Sequence, residues 1–272
     1  MMVLSYTEED VKNLLEHLRL YPDDSEKWHL LGVAYLSMHK QEQAEEAFQQ
    51  CLKLDKENPL ALGDLGTLYI MKGKAKPAIK RLEKSLGIKS DQHEYWLALG
   101  VAYIQRSKYK DARSAFERCL SLKPGFYDAL VALGMTHLRL ESWEEAATML
   151  IKADKIRPDN YEVLKSLARA LMKLKRTIEL QQMYLRMLEL NPEEHTLHLY
   201  LGQIAFDAGR TEEALVRFRT AIEMNPEDFI GWKVLADSLE SLGFQEEAKQ
   251  ARDRRKEIIE RLRREKGIFG PL

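Results

Sequence analysis

Between His93 and Phe126 the apolar positions fall on two helical faces separated by a polar turn. Trp96, Leu99, Gly100 and Tyr103 recur at i, i+3, i+4 and i+7, which is one face of a helix. Gln105 to Lys108 then breaks the pattern. A second face follows at Ala112, Ala115, Phe116, Cys119 and Leu120. Pro124 closes the unit, because it lacks an N–H and pushes Lys123 out of the α region. So short a turn predicts that the two helices fold back antiparallel. A glycine inside a helix costs ~1 kcal/mol relative to alanine. Gly100 therefore implies that a side chain there would meet the partner helix, and the small Ala112 points the same way.

The unit recurs every 34 residues. Trp28, Leu62, Trp96, Leu130, Leu164, His198 and Trp232 share one register. Leu31, Leu65, Leu99, Leu133, Leu167, Leu201 and Leu235 share a second. Gly32, Gly66, Gly100, Gly134, Ala168, Gly202 and Ala236 share a third. Pro22, Pro124, Pro158, Pro192 and Pro226 lie on a fourth, where positions 56 and 90 hold Lys and Ser. Such a period resembles the tetratricopeptide repeat (TPR) family, whose signature is Trp-x2-Leu-Gly-x2-Tyr, then Ala-x3-Phe, then Pro. The third repeat carries it at Trp96, Leu99, Gly100, Tyr103, Ala112, Phe116 and Pro124. The resemblance implies an all-α fold, a right-handed α-α superhelix of seven tandem repeats. These motif residues pack; they carry no chemistry.

Repeats start near Ser25, Pro59, His93, Tyr127, Tyr161, His195 and Phe229. Each is expected to hold a helix A over about its first fourteen positions and a helix B after the turn. Residues 1–24 are read as a capping half-repeat, with a helix over 8–20, Thr7 as its cap and Leu14, Leu15 and Leu18 on its buried side. Residues 25–244 form the repeat array. Residues 245–272 hold the last helix, extended as a basic cap, and an apolar tail from Gly267 to Leu272. Between Lys249 and Lys266 there are nine basic and four acidic residues, a local +5. Pairs such as Lys249–Asp253 and Glu257–Arg261 are expected on that helix. Repeat five departs most, with Ala168, Leu171 and the large Leu180, which should spread its two helices.

A net charge of −1 gives no overall pull toward nucleic acid or anionic membrane. The first twenty residues show no secretory pattern, and no apolar run is long enough to span a bilayer. Cys51 and Cys119 share a repeat position and read as buried free thiols. Together these favour a cytoplasmic location. No phosphate-cradling glycine motif appears. His195 and His198 are one turn apart, but His198 occupies the core slot and nothing completes a metal site. His137 reads as a packed histidine. The expectation is a protein that is not an enzyme and uses no cofactor, metal or small-molecule substrate.

In TPR proteins the A helices line the concave wall, and repeat positions 2, 5, 9, 12 and 13 face a ligand. Carried over by that resemblance, the groove residues are Val33, Leu36, Thr67, Ile70, Met71, Leu97, Val101, Ile104, Val131, Met135 and Leu138, then Lys165, Arg169, Met172 and Lys173, then Gln203, Phe206, Asp207, Lys233, Asp237 and Glu240. The apolar first set suits an apolar-faced peptide, since exposed apolar stripes mark interaction sites. The Lys165, Arg169, Lys173 stripe suits an acidic flank. The leading reading is an adaptor for a protein segment. A self-assembling homo-oligomer is the alternative, and RNA or an anionic surface on the basic helix is a weaker one, since aromatics are not interleaved there. The chaperone-tail clamp of the family needs asparagines on A helices. Asn13, Asn58, Asn160, Asn191 and Asn225 all fall elsewhere, so that activity is disfavoured.

Overall fold

The computed structural model describes residues 6–266. Among them are fifteen helices and no strand: α1 Glu8–Leu20, α2 Ser25–Ser37, α3 Gln41–Leu54, α4 Pro59–Met71, α5 Ala75–Ile88, α6 His93–Gln105, α7 Tyr109–Leu122, α8 Tyr127–Arg139, α9 Trp143–Ile156, α10 Tyr161–Lys173, α11 Thr177–Leu190, α12 His195–Asp207, α13 Thr211–Met224, α14 Phe229–Ser241 and α15 Gln245–Lys266. The even-numbered A helices begin at the residues from which the repeats were counted, and each is 13 residues long. The chain divides into two compact units, Met1–Ile156 and Arg157–Leu272. The tail from Gly267 lies outside the described residues.

Five of the seven A–B hairpins are built on one kind of contact. Phe48, Phe116 and Phe218 are fully buried. Their rings lie where a side chain on Gly32, Gly100 or Gly202 would stand. A Cβ on Gly100 would sit 2.3 Å from the Phe116 ring. The glycine is therefore required by the ring across the hairpin, which is a more specific cause than the small Ala112. Gly66 and Gly134 meet Leu82 and Leu150 in the same way, at 2.7 Å. In repeat five the set changes to Ala168, Leu180 and Tyr184, all buried. There α10 and α11 run farther apart than the helices of the other hairpins, as the bulk of Leu180 predicts.

The A–B turns share a backbone device. His39, Gly73, Ser107, Glu141, Lys175, Gly209 and Gly243 all adopt positive φ, between 56° and 85°. These residues are spaced by the repeat. Glycine takes this conformation freely, whereas other residues are strained there by about 1–2 kcal/mol. Tryptophans fix the entry to their repeats. The Nε1–H groups of Trp28, Trp96 and Trp232 donate to the carbonyls of Pro22, Ser90 and Pro226 at 2.8, 2.8 and 2.9 Å.

In the N-terminal unit, α1 is capped by Thr7, which accepts from the Asp10 N–H while Asp10 accepts from Thr7 N–H. Its Val11 and Leu18 are buried and pack with Leu31 and Ala34. Leu14 is half-buried against them, while Leu15 is 37% exposed, so the buried side is Val11, Leu14 and Leu18. In the C-terminal unit, α15 runs for 22 residues, against 14 for α13. Its start is held by buried Ala248 and Ala251, and its middle by Ile258. Arg254 and Arg261 both reach Glu227, in the loop before α14. Arg261 also pairs with Glu265, and Glu257 pairs with Arg254. The pairing on this helix is thus partly tertiary, which differs from the i,i+4 pattern expected from its sequence.

Candidate functional site

The A-helix positions divide between the two units. In the N-terminal unit, Val33, Leu36, Thr67, Ile70, Leu97, Val101, Ile104 and Val131 are half-buried. Val33, Leu36 and Ile70 lean on the core around Phe48 and Leu65. Leu97, Val101 and Ile104 lean on the core around Phe116 and Leu133. Each such side chain has one flank in the core and one in solvent. Met71 and Met135 are open, at 58% and 39% exposure. Leu138 is a correction: at 4% exposure it belongs to the core and offers no binding surface. Position 12 of a repeat lies at the edge of the helix face, and in repeat four the neighbouring side chains close over it.

A polar bridge crosses the same unit. His29 Nε2 lies 2.8 Å from Asp64 Oδ2, and the Tyr95 hydroxyl donates to Asp64 Oδ1 at 2.9 Å. One carboxylate thereby ties α2, α4 and α6 together. Burial pushes the Tyr95 hydroxyl well above its ordinary value, and the Asp64 carboxylate adds to the effect. The Tyr95 ring occupies the space beside Gly63, where a Cβ would stand 2.3 Å from it. His29 and Asp64 thus hold each other between α2 and α4.

In the C-terminal unit, Lys165, Arg169, Lys173, Gln203 and Lys233 are exposed, as are Met172, Asp207, Asp237 and Glu240, while Phe206 is half-buried. Gln203 donates to Asp207 at 2.8 Å, and Lys233 lies 3.9 Å from Asp237. Arg252 holds Glu240 at 2.7 Å. A cavity of about 520 Å³ opens between α12, α14 and the end of α15. Leu199, Tyr200, Ile230, Val234 and Leu262 supply its apolar lining. None of these five was among the groove residues expected from the sequence. Ile230 carried a signal, since most other repeats place Glu, Asp or Thr at that slot. Leu262 lies beyond the 34-residue frame and carried none.

The remaining chemical candidates resolve as packing. Cys51 and Cys119 are free and buried, and burial raises each thiol to about 11. His137 is 6% exposed with Nδ1 unbonded, and burial lowers its pKa. His198 is likewise lowered by burial, with the Arg217 cation adding to it. Among the described residues no group of three His, Cys, Asp or Glu side chains is placed to hold a metal. Among them, too, no helix is long and apolar enough to cross a membrane.

Comparison with known proteins agrees with this architecture. A family model described as the cytochrome c-type biogenesis protein H TPR domain matches residues 5–125. Two tetratricopeptide repeat models match residues 103–159, and 181–217 with 201–251. A solved structure of MamA AMB-1 is 27% identical with a TM-score of 0.57, over 63% of this chain and 94% of that one. YrrB, described as a TPR protein with an unusual peptide-binding site, is 20% identical with a TM-score of 0.62, over 69% of this chain and 96% of that one. PilF of Pseudomonas aeruginosa is 18% identical with a TM-score of 0.56, over 74% and 92%. The curated protein Essential for maintenance of the cell wall protein 1, from Saccharomyces cerevisiae, is 33% identical over 76 residues, which is 28% of this chain. This chain spans only 8% of that relative's length. The fold is an all-α TPR superhelix. The chain belongs to the tetratricopeptide repeat family, whose members generally act as non-catalytic scaffolds for protein–protein interaction.

Proposed function

We propose that this chain is a non-catalytic adaptor that holds an apolar-faced peptide segment against the A helices of its N-terminal unit. The observation that carries this reading is the row Val33, Leu36, Ile70, Leu97, Val101, Ile104 and Val131, half-buried in the core and half open to solvent. Met71 and Met135 stand out from that row. Methionine adapts its shape to irregular apolar partners. YrrB, with its described peptide-binding site, shares the fold at an identity that supports no residue-level transfer. A cytoplasmic location belongs to the same proposal and is supported by the two unpaired thiols.

The test is a pull-down with the intact chain beside Leu97→Asp and Val101→Asp. Because both side chains also touch the core, Met71→Asp and Met135→Asp serve as parallel variants on open positions. Partners retained by the intact chain should be lost from all four, with the melting temperatures of the methionine variants unchanged. Partners retained by the methionine variants would refute the reading. Sedimentation across a concentration series addresses the second reading, self-assembly. A complex of copies that dissociates in Met71→Asp would replace the adaptor with a homo-oligomer.

A further inference from the structure

We propose that the cavity of the C-terminal unit is a second, separate peptide site, one that takes a bulky apolar side chain followed or preceded by acidic residues. It rests on the adaptor reading in that the ligand is again a polypeptide, but it uses none of the same residues.

The cavity exists because α15 is longer than the other B helices. Its last two turns carry Leu262 past the start of α14, and Arg254 and Arg261 clamp this extension to Glu227. Leu262 then faces Tyr200 and Ile230 across about 520 Å³ of open space. Tyr200 is held in place by stacking on Tyr184 of α11, with ring centroids 5.2 Å apart and planes inclined by 21°. Even so, Tyr200 is 50% exposed and Ile230 is 56% exposed. The volume suits one or two large side chains, well below a drug-sized pocket's upper range of ~1,000 Å³.

Charge decides what flanks the apolar anchor. The two carboxylates at the rim are already engaged. Glu227 is taken by Arg254 and Arg261, and Asp228 lies 3.2 Å from His195 while capping α14. On α14 Lys233 lies against Asp237, and on α12 the Asp207 carboxylate accepts from the Gln203 amide. On α10, the next A helix, Lys165 and Arg169 are exposed and one turn apart, and among the described residues neither forms an ion pair. They are repeat equivalents of Leu199 and Gln203, which line the cavity. The repeat frame therefore sets Lys165 and Arg169 one A helix before the apolar socket. Adjacent helices are about 10–12 Å across, and an extended peptide advances ~3.3 Å per residue. Acidic residues should therefore lie about three to six positions from the anchor.

The experiment is selection of a random twelve-residue peptide library on the full chain, followed by affinity measurement with the enriched peptides. Enriched sequences should carry Leu, Ile or Phe with at least two Asp or Glu about three to six residues away. Their affinity should fall tenfold or more in Ile230→Glu and in Lys165→Glu/Arg169→Glu. The second loss should shrink at high salt, since exposed charges are screened. Met71→Asp, in the other unit, should leave the affinity unchanged; that variant reports on the adaptor row alone. No enrichment, enrichment without acidic bias, or loss confined to Met71→Asp would overturn the proposal. So would two further outcomes. Replacement of residues 267–272 by Gly and Ser could raise the affinity tenfold, which would assign the cavity to the chain's own tail. Alternatively, Ile230→Glu could convert a dimer to a monomer in sedimentation, which would assign it to a second copy.

Discussion

The Gly100–Phe116 contact permits a double-mutant cycle with a sign change. Gly100→Ala alone places a Cβ at 2.3, 2.6 and 2.7 Å from three atoms of the fully buried Phe116 ring. Overpacking of this kind costs typically 1–3 kcal/mol, offset by the ~1 kcal/mol that alanine gains over glycine within a helix. The net expectation is a loss of up to about 2 kcal/mol. Phe116→Ala alone should cost about 3–5 kcal/mol, the usual range for emptying a buried aromatic site. In the Phe116→Ala background the clash is gone and only the propensity term remains. Gly100→Ala there should be neutral or stabilising by up to about 1 kcal/mol. The coupling energy should then equal the clash term, about 1–3 kcal/mol. Urea unfolding followed by far-ultraviolet circular dichroism reads all four corners. The slopes must be compared as well, because repeat arrays can lose cooperativity. Additivity within ~0.5 kcal/mol, the value for independent sites, would refute the account of the hairpin.

The shared turn conformation makes a second prediction. Gly73→Ala, at φ 69°, should destabilise by about 1 kcal/mol, whereas Ser107→Gly or Glu141→Gly should leave stability unchanged or raise it slightly; thermal melting would check both directions. A third concerns pH. Burial holds His137 and His198 below their ordinary pKa, so the unfolded chain binds protons that the folded chain refuses. Their contribution is intact above about pH 6.5 and is lost as pH falls through that value toward the folded pKa. His137→Leu should flatten the dependence of the unfolding midpoint between about pH 7 and pH 5; an unchanged slope would remove His137 as a cause.

The period of 34 residues made the helices legible, because the hairpin core repeats one contact. The slots of Gly100 and Phe116 recur in register, so pattern and packing coincide. The turn device was not read from the sequence: Gly73, Gly209 and Gly243 mark three of the turns, and His39, Ser107, Glu141 and Lys175 disguise it in the other four. The binding faces were legible only in part. A repeat position names a direction around the helix axis, and burial depends on what the neighbouring helix places there. Leu138 is therefore covered while Met172, in the same slot, is 50% exposed. The His29–Asp64–Tyr95 bridge joins residues 31 and 35 positions apart, in three different repeats. The cavity of the C-terminal unit depends on Leu262, which no repeat counterpart announces. Periodicity reports what the repeats share; these features come from where they differ.

Hydrogen exchange of the full chain, with and without a captured partner segment, bears most directly on the adaptor reading. Added protection should concentrate on the backbone of α4, α6 and α8 around Ile70, Val101 and Met135, leaving α3, α5 and α7 at their unbound rates. Protection confined to those B helices, or to α15, would contradict it.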